Sequence, residues 1–519
     1  MIANKKMFLS SHFITFYIGS IFVTIWTLLR FFTQQSVFDL VSQQIIVHQW
    51  LHGSLSVAHV GQTAYIPKML LIYIPLDVLP VSPRLKLIIC TIVINITTFV
   101  LIAVLLKKIL QAFKVKVTNS LDIGLIWISM IAGSVFWIGI INSRNIEVAG
   151  GLLLIYLTLR FLESPSRTKG IILGLTSGFI FFSDPLQFYM VALSLVFYSI
   201  TLYLRHQAEW FKPFFLATIF MAGFVLSKTI FSITQHFLQL SFNETNGMAL
   251  HTFSAQWLLE SLKGLARSTA ILFLGANDAG KIREAANLGL LFCSIMVFMF
   301  GIWKKRLSQN LKWFCISFII IDELIYVFSG QAAEPGTSRY LIMLAPILVL
   351  ALSSVKLPER SSDHFVVLFI CGLLINAGFL MNALIRNWDT SFPKDDHVES
   401  AYRYEMLHSA DTQQLYTSID TGLPLLYYHD ISAQNVLPLG CSQGSLVRTY
   451  YSMDKEFKFA SQHPIKNAAI VMDGNSITNT PSICNEDTIA QSFGQPTSKD
   501  MTDDGSMVLI YKQSALHIR

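Results

Sequence analysis

Asp39, Arg144, Glu147, Asp184 and Arg339 are the residues of this chain whose types could do chemistry together. A carboxylate can take a proton from a hydroxyl. A guanidinium grips a phosphate through two parallel hydrogen bonds and stays charged at every accessible pH. Each of the five sits in a polar stretch between long apolar runs. FDLVSQQIIVHQWLHG (38–53) carries Asp39 and His48, NSRNIE (142–147) carries Arg144 and Glu147, and SDP (183–185) carries Asp184. QAAEPGTSRY (331–340) carries Glu334, Arg339 and Tyr340. Plainer roles compete: Asp39 could cap the helix it opens, and Asp184-Pro185 is a good helix start. Ionisable groups at a membrane boundary are nonetheless functional candidates by default.

Other motifs carry less. GANDAGK (275–281) follows a phosphate-loop pattern as far as Lys281, but Ile282 stands where a Ser or Thr must hold the metal. HQWLH (48–52) has the two-His spacing of a zinc-protease helix with Gln49 in place of the general base, and His59 is the only further imidazole nearby. Asn243 opens a glycosylation sequon.

The elements that must position these residues are membrane helices. The 519 residues are 53% hydrophobic and only 13% charged, about half the charge of an ordinary soluble domain. Apolar spans are expected at 11–31, 84–106, 119–141, 148–162, 170–182, 186–204, 213–240, 286–303, 313–330, 340–354 and 364–385. One alternate set of loops (1–10, 107–118, 163–169, 205–212, 304–312, 355–363) holds 16 Lys and Arg in 55 residues; the other set holds 7 in 114. That asymmetry puts the N-terminus in the cytoplasm, and the four polar stretches on the opposite face of the plasma membrane. The net charge of +6 is topogenic, and no basic face suited to nucleic acid is present.

The first outer loop (33–83) and the stretch 241–285 are long. Residues 38–53 are expected to lie in the interface, and KMLLIYIPLDVLP (68–80) to be re-entrant or interfacial. A domain boundary falls near 388. Residues 389–519 form an extracytoplasmic α/β domain, with strands expected at 423–429, 468–473 and 507–511 and a helix at 402–419. Cys441 and Cys484, its two cysteines, are either a disulfide pair or two unrelated thiols.

This layout resembles the GT-C superfamily: a first helix, a long outer loop with an early Asp and interfacial segments, many further spans, and an outer C-terminal domain. Protein O-mannosyltransferases and aminoarabinose transferases are closest in layout. SRYLIMLAPILVLAL (338–352) is similar to the Arg-Tyr-led helix late in many such bacterial proteins. The resemblance covers roughly residues 8–390. It implies a glycosyltransferase moving a sugar from a polyprenyl-phosphate-linked donor to a glycan, lipid or protein acceptor, with membrane lipids as its surroundings. Asp39 would be the base, with Glu147 and Asp184 orienting hydroxyls. Arg339 and then Arg144 would meet the donor phosphate, with His48 and Tyr340 as further substrate contacts. Members often set a second acid beside the early Asp, where this chain has Leu40 and Val41; the cofactor stays open, a divalent metal being possible but not indicated. A transporter or flippase, favoured by the in-span residues Lys228, Asp322 and Glu323, is the competing class, and a non-catalytic envelope-assembly protein a third.

Overall fold

Helices form where the apolar runs are longest. The computed structural model describes residues 47, 51, 58–60, 72–81, 83–115, 144–237, 240–242, 254–274, 296, 299, 302–303, 308–328, 341–353, 414–417, 436–438, 440–442, 445–447, 468–472, 495–501 and 507–511. These are mostly helical. The helices are α1 (Ile74–Asp77), α2 (Pro83–Ala112), α3 (Arg144–Glu163), α4 (Arg167–Ser183), α5 (Leu193–Leu204), α6 (Phe211–Phe237), α7 (Ala255–Leu274), α8 (Gln309–Phe328) and α9 (Leu344–Ser353). A π-helical turn, Phe188–Ala192, leads into α5. Among the described residues two stretches, Ile92–Ala112 and Phe211–Thr234, are long and apolar enough to cross a membrane. The expected spans 11–31, 119–141 and 364–385 lie outside the described residues, and 286–303 almost entirely so.

The chain divides into two units. The first comprises Met1–Arg30, Thr91–Ile233 and Thr245–Ala383, and its core is helix on helix. α5 and α8 run antiparallel, as two contacts show: Thr201 meets Ser317 hydroxyl to hydroxyl at 3.5 Å, and the Arg205 guanidinium, just past α5, lies 4.6 Å over the Trp313 ring near the start of α8. α3 and α4 are joined by a tight turn in which Ser166 caps α4 through the Lys169 N–H. Lys169 also closes this turn through its ammonium, bonded to the Arg160 and Ser164 carbonyls.

α4 and α6 approach closely because α4 carries Gly170, Gly174 and Gly178 on one face at four-residue spacing. A side chain at Gly178 would meet Leu226 Cδ2 at 2.6 Å, and one at Gly223 would meet Ser177 and the Gly178 backbone nitrogen, the latter at 3.2 Å. Such small-residue seams let helix backbones touch and recur between membrane helices. Away from the seam both helices present bare hydrocarbon: Ile171, Leu175 and Phe179 on α4, and Phe214, Met221, Val225 and Ile233 on α6, are all exposed. Soluble monomers rarely leave a contiguous apolar face of that kind to water.

The second unit comprises Phe31–Cys90, Thr234–Glu244 and Leu384–Arg519. In it, β1 (Ala58–Val60) pairs in parallel with β2 (Leu240–Phe242), so the two long stretches of the sequence are joined by a ladder. The span expected at 213–240 therefore ends at Phe237, and Leu240 belongs to a strand. Among the described residues of 68–80 the α-helix is the short α1, anchored to the start of α2 by Lys86, whose ammonium bonds the Asp77 carbonyl at 2.7 Å and lies 3.7 Å from its carboxylate. In 38–53, Val47 and Leu51 are helical.

The tail builds a five-stranded sheet from β3 (Gln414–Thr417), β4 (Val436–Pro438), β7 (Ala468–Met472), β8 (Ser498–Met501) and β9 (Met507–Tyr511), in the order β4-β3-β7-β9-β8. β4, β3 and β7 are parallel, while β9 and β8 are antiparallel additions. β5 (Gly440–Ser442) and β6 (Ser445–Val447) form a separate hairpin. Both edges discourage further pairing: Pro438 ends β4, and Lys499 and Asp500 stand in β8. The strands at 468–473 and 507–511 appear as expected. The helix expected over 402–419 is corrected at its end, because Gln414–Thr417 is strand β3. Its Leu-Tyr-Thr core takes two parallel neighbours, and tertiary pairing overrides the helical pattern. Residues 423–429 lie outside the described set, as does Cys484, while Cys441 is in β5.

Candidate functional site

Two of the polar stretches that the sequence singles out, 142–147 and 183–185, have described residues, and these lie at helix ends, where backbone groups are left without intrahelical partners. Glu147 is in the first turn of α3 and is buried, at 5% exposure. A helix N-terminus is the favourable end for a carboxylate, since the helix dipole is positive there. Arg144 opens the same helix.

Asp184 is the residue on which α4 stops, also at 5% exposure. Its extended backbone turns the chain, and Pro185 starts the next helical segment at no hydrogen-bonding cost. One carboxylate oxygen accepts from the Leu186 N–H at 3.1 Å, and the other accepts from the Gln187 side-chain amide at 3.1 Å. The cap role is thus real, and Asp184 performs a second task in holding the amide of Gln187. Gln187 is itself 3% exposed, and its amide oxygen has no hydrogen-bond partner among the described residues. That oxygen lies 2.7 Å from where a Cβ on Gly151 would stand, and the Met343 methyl lies 2.8 Å from the same point. Gly151 is one turn beyond Glu147 on the same face of α3.

Two of the four polar stretches, 142–147 and 183–185, therefore have described residues, and the helix that one opens meets the turn that the other begins. Gly151 of α3, one turn beyond Glu147, lies against the Gln187 amide that Asp184 holds, with Met343 beside them. The π-turn that follows Gln187 packs against α3 and α8, and such turns often sit at functional sites. Asp39, His48, Arg339 and Tyr340 lie outside the described residues, and of Arg144 only the backbone is described. Among the described residues no three His, Cys, Asp or Glu side chains gather as metal ligands.

Sequence reasoning missed Gln187, Gly151 and Met343. A signal existed for Gly151, which follows Glu147 by four residues; Gln187 and Met343 become visible only once helices are packed. Replacing Asp184 by Ala should cost about 1 kcal/mol of stability through the lost cap and release Gln187. Asp184→Asn should recover most of that stability, as thermal unfolding in detergent would report.

No protein-family model matches the chain, and no curated protein matches it.

Proposed function

We propose that this chain is a multi-pass membrane glycosyltransferase that takes a sugar from a polyprenyl-phosphate-linked donor and passes it to an acceptor on the extracytoplasmic face. The observation that carries the reading is the burial of acidic groups, Glu147 in the first turn of α3 and Asp184 bonded to Gln187, in a helical unit whose outward faces on α4 and α6 are apolar. Burying such groups is costly unless they are used or paired.

Charge placement supports the sidedness. Arg160, Arg167, Lys169, Arg205, Lys212 and Lys312 flank the turns and ends at which α3 meets α4, α5 meets α6, and α8 begins. Glu147, Asp184 and Asp322 lie toward the opposite ends of these helices. At that basic end the Arg205 guanidinium lies 4.6 Å over the Trp313 ring and the Lys312 ammonium 5.5 Å from it, which gathers positive charge at one end of α8. With the basic ends in the cytoplasm, the ends that carry these buried acids face outward.

In the proposed step the acceptor oxygen attacks the anomeric carbon while the bond from that carbon to the phosphate oxygen breaks. The polyprenyl phosphate leaves with the bonding pair, and Asp39 takes the hydroxyl proton. Arg339 and Arg144 offset the leaving charge, so positioning and electrostatics supply much of the rate. Glu147 and the Gln187 amide, held by Asp184, orient hydroxyls of sugar or acceptor; His48 and Tyr340 complete the substrate contacts. Right-side-out membrane vesicles carrying the protein and a panel of radiolabelled polyprenyl-phosphate sugars should yield labelled acceptor on the outer face. Transport of the lipid-linked sugar with no bond made would overturn the reading in favour of a carrier.

One observation favours that carrier. Asp322 is fully buried in α8, and neither carboxylate oxygen has a hydrogen-bond partner among the described residues. Lys228 offers it no support, being exposed on α6 within 6 Å of Phe224 and Phe231.

A further inference from the structure

α7 (Ala255–Leu274) falls within a stretch that reads as loop, yet it is a capped helix, with Ser254 accepting from the Trp257 N–H at 3.1 Å. At 100° per residue its surface resolves into three stripes about a third of a turn apart. Ser261, Gly264 and Ser268 are buried. Gln256, Glu260, Lys263 and Arg267 form an exposed polar stripe, and Ala255, Leu259, Leu262 and Ala266 an exposed apolar one. A helix in water needs only the first two stripes, and a helix spanning lipid has no use for the second.

The way α7 meets α8 fixes its direction. Trp257 packs against Phe328 with ring centroids 6.2 Å apart, and Ser268 bonds the Tyr326 hydroxyl at 2.8 Å. The two α7 positions are about 16 Å apart along its axis, whereas their partners are two residues apart, about 3 Å of rise. Tyr326 and Phe328 leave α8 on nearly opposite sides, and α7 reaches both by running across the end of α8. Leu265, between them and nearer Ser268, packs against the small core of Tyr326, Leu341 and Leu344. α8 in turn exposes Ile320, Leu324 and Phe328 in one apolar row.

We propose that α7 lies in the plane of the membrane surface, across the end of α8, with Leu259 and Leu262 among lipid acyl chains and Lys263 on phospholipid headgroup phosphates. The partner is the bilayer itself. An interfacial helix needs an apolar face sunk at the acyl boundary and a basic polar face above it, and the third stripe is the protein's own seam. This inference rests on the membrane part of the reading above and on none of its enzymology.

The test places a spin-labelled keto amino acid, one position at a time, in the full-length protein with its native cysteines retained. The protein is reconstituted in phosphatidylethanolamine–phosphatidylglycerol vesicles. Labels at 259, 262 and 266 should favour oxygen, and those at 256, 260, 263 and 267 a water-soluble nickel complex. Depths at 256 and 267 should agree within about 5 Å, one helical turn. A depth difference near 16 Å would mean an upright helix and overturn the proposal, as would equal water access of both stripes or an apolar stripe shielded from both reagents by protein. Labels at Ile320 and Leu324 separate the two failures. Oxygen access there without the α7 pattern removes only this inference, while water access there removes the membrane reading as well. Lys263→Gln should lower the preference for spin-labelled phosphatidylglycerol over phosphatidylcholine about fivefold; an unchanged preference overturns the phosphate contact.

Discussion

Gly223→Leu should leave little folded protein, whereas Gly174→Ala should be recovered at wild-type levels. Both glycines lie in the seam between α4 and α6, and the difference is one of clearance. A Cβ at 174 would sit 3.7 Å from Ile219 Cγ2, an ordinary van der Waals distance. Alanine there also favours the helix over glycine by up to about 1 kcal/mol. At 223 the first carbon already presses on Ser177 and the Gly178 backbone, and Leu226 fills the space at Gly178. Backbone cannot move aside as a side-chain tip can, so α6 must withdraw from α4 along the seam. Overpacking by single methylenes costs about 1–3 kcal/mol, and Leu adds three further carbons. Monodisperse yield in detergent and the thermal midpoint would check this. A Gly223→Leu protein as stable as wild type would mean that the two helices do not meet as described.

The seam was available to a sequence reader as four-residue spacing of Gly170, Gly174 and Gly178, but its partner was not. Gly223 has no repeat on α6 to announce it, and only packing selects it. The same division runs through the rest of the molecule. The apolar runs around α2, α3, α4 and α6 are legible because a run free of charge has one good solution in lipid. Their ends are legible too, since Asp184-Pro185 and Ser166 carry capping chemistry. α7 escaped that reading because its polar stripe, Gln256 to Arg267, interrupts every apolar window, though the stripe itself keeps a helical period. β3 escaped for the opposite reason: Gln414–Thr417 continues a helix-like pattern, and neighbours distant in sequence make it a strand. In the candidate site the acids are legible by type and by position at helix ends. The Gln187 amide is not, because nothing in its own stretch of sequence shows that Asp184 grips it or that Gly151 makes room for it.

Asp39→Asn should lower sugar transfer by about 10²–10⁴-fold while leaving the protein folded and its donor binding intact. The factor is that usually lost with a positioned general base. The substitution separates the two roles that the sequence allows for Asp39. Asn caps helices about as well as Asp, so if capping were its whole contribution, stability and turnover would both survive the change. The amide also keeps the shape and polarity of the side chain, but it cannot accept the acceptor's hydroxyl proton at neutral pH. Loss of turnover with an unchanged thermal midpoint therefore assigns the base. Arg339→Ala makes the complementary case, because a guanidinium on the leaving phosphate acts on the donor rather than the acceptor. It should weaken use of the lipid-linked donor, with a smaller effect on the response to acceptor concentration. Glu147→Gln should fall between them, since an amide at the first turn of α3 still serves one hydroxyl while losing the favourable interaction of a carboxylate with the helix dipole. Wild-type turnover in Asp39→Asn would remove Asp39 as the base, and Glu147, the other carboxylate assigned a catalytic part, would be the next to replace.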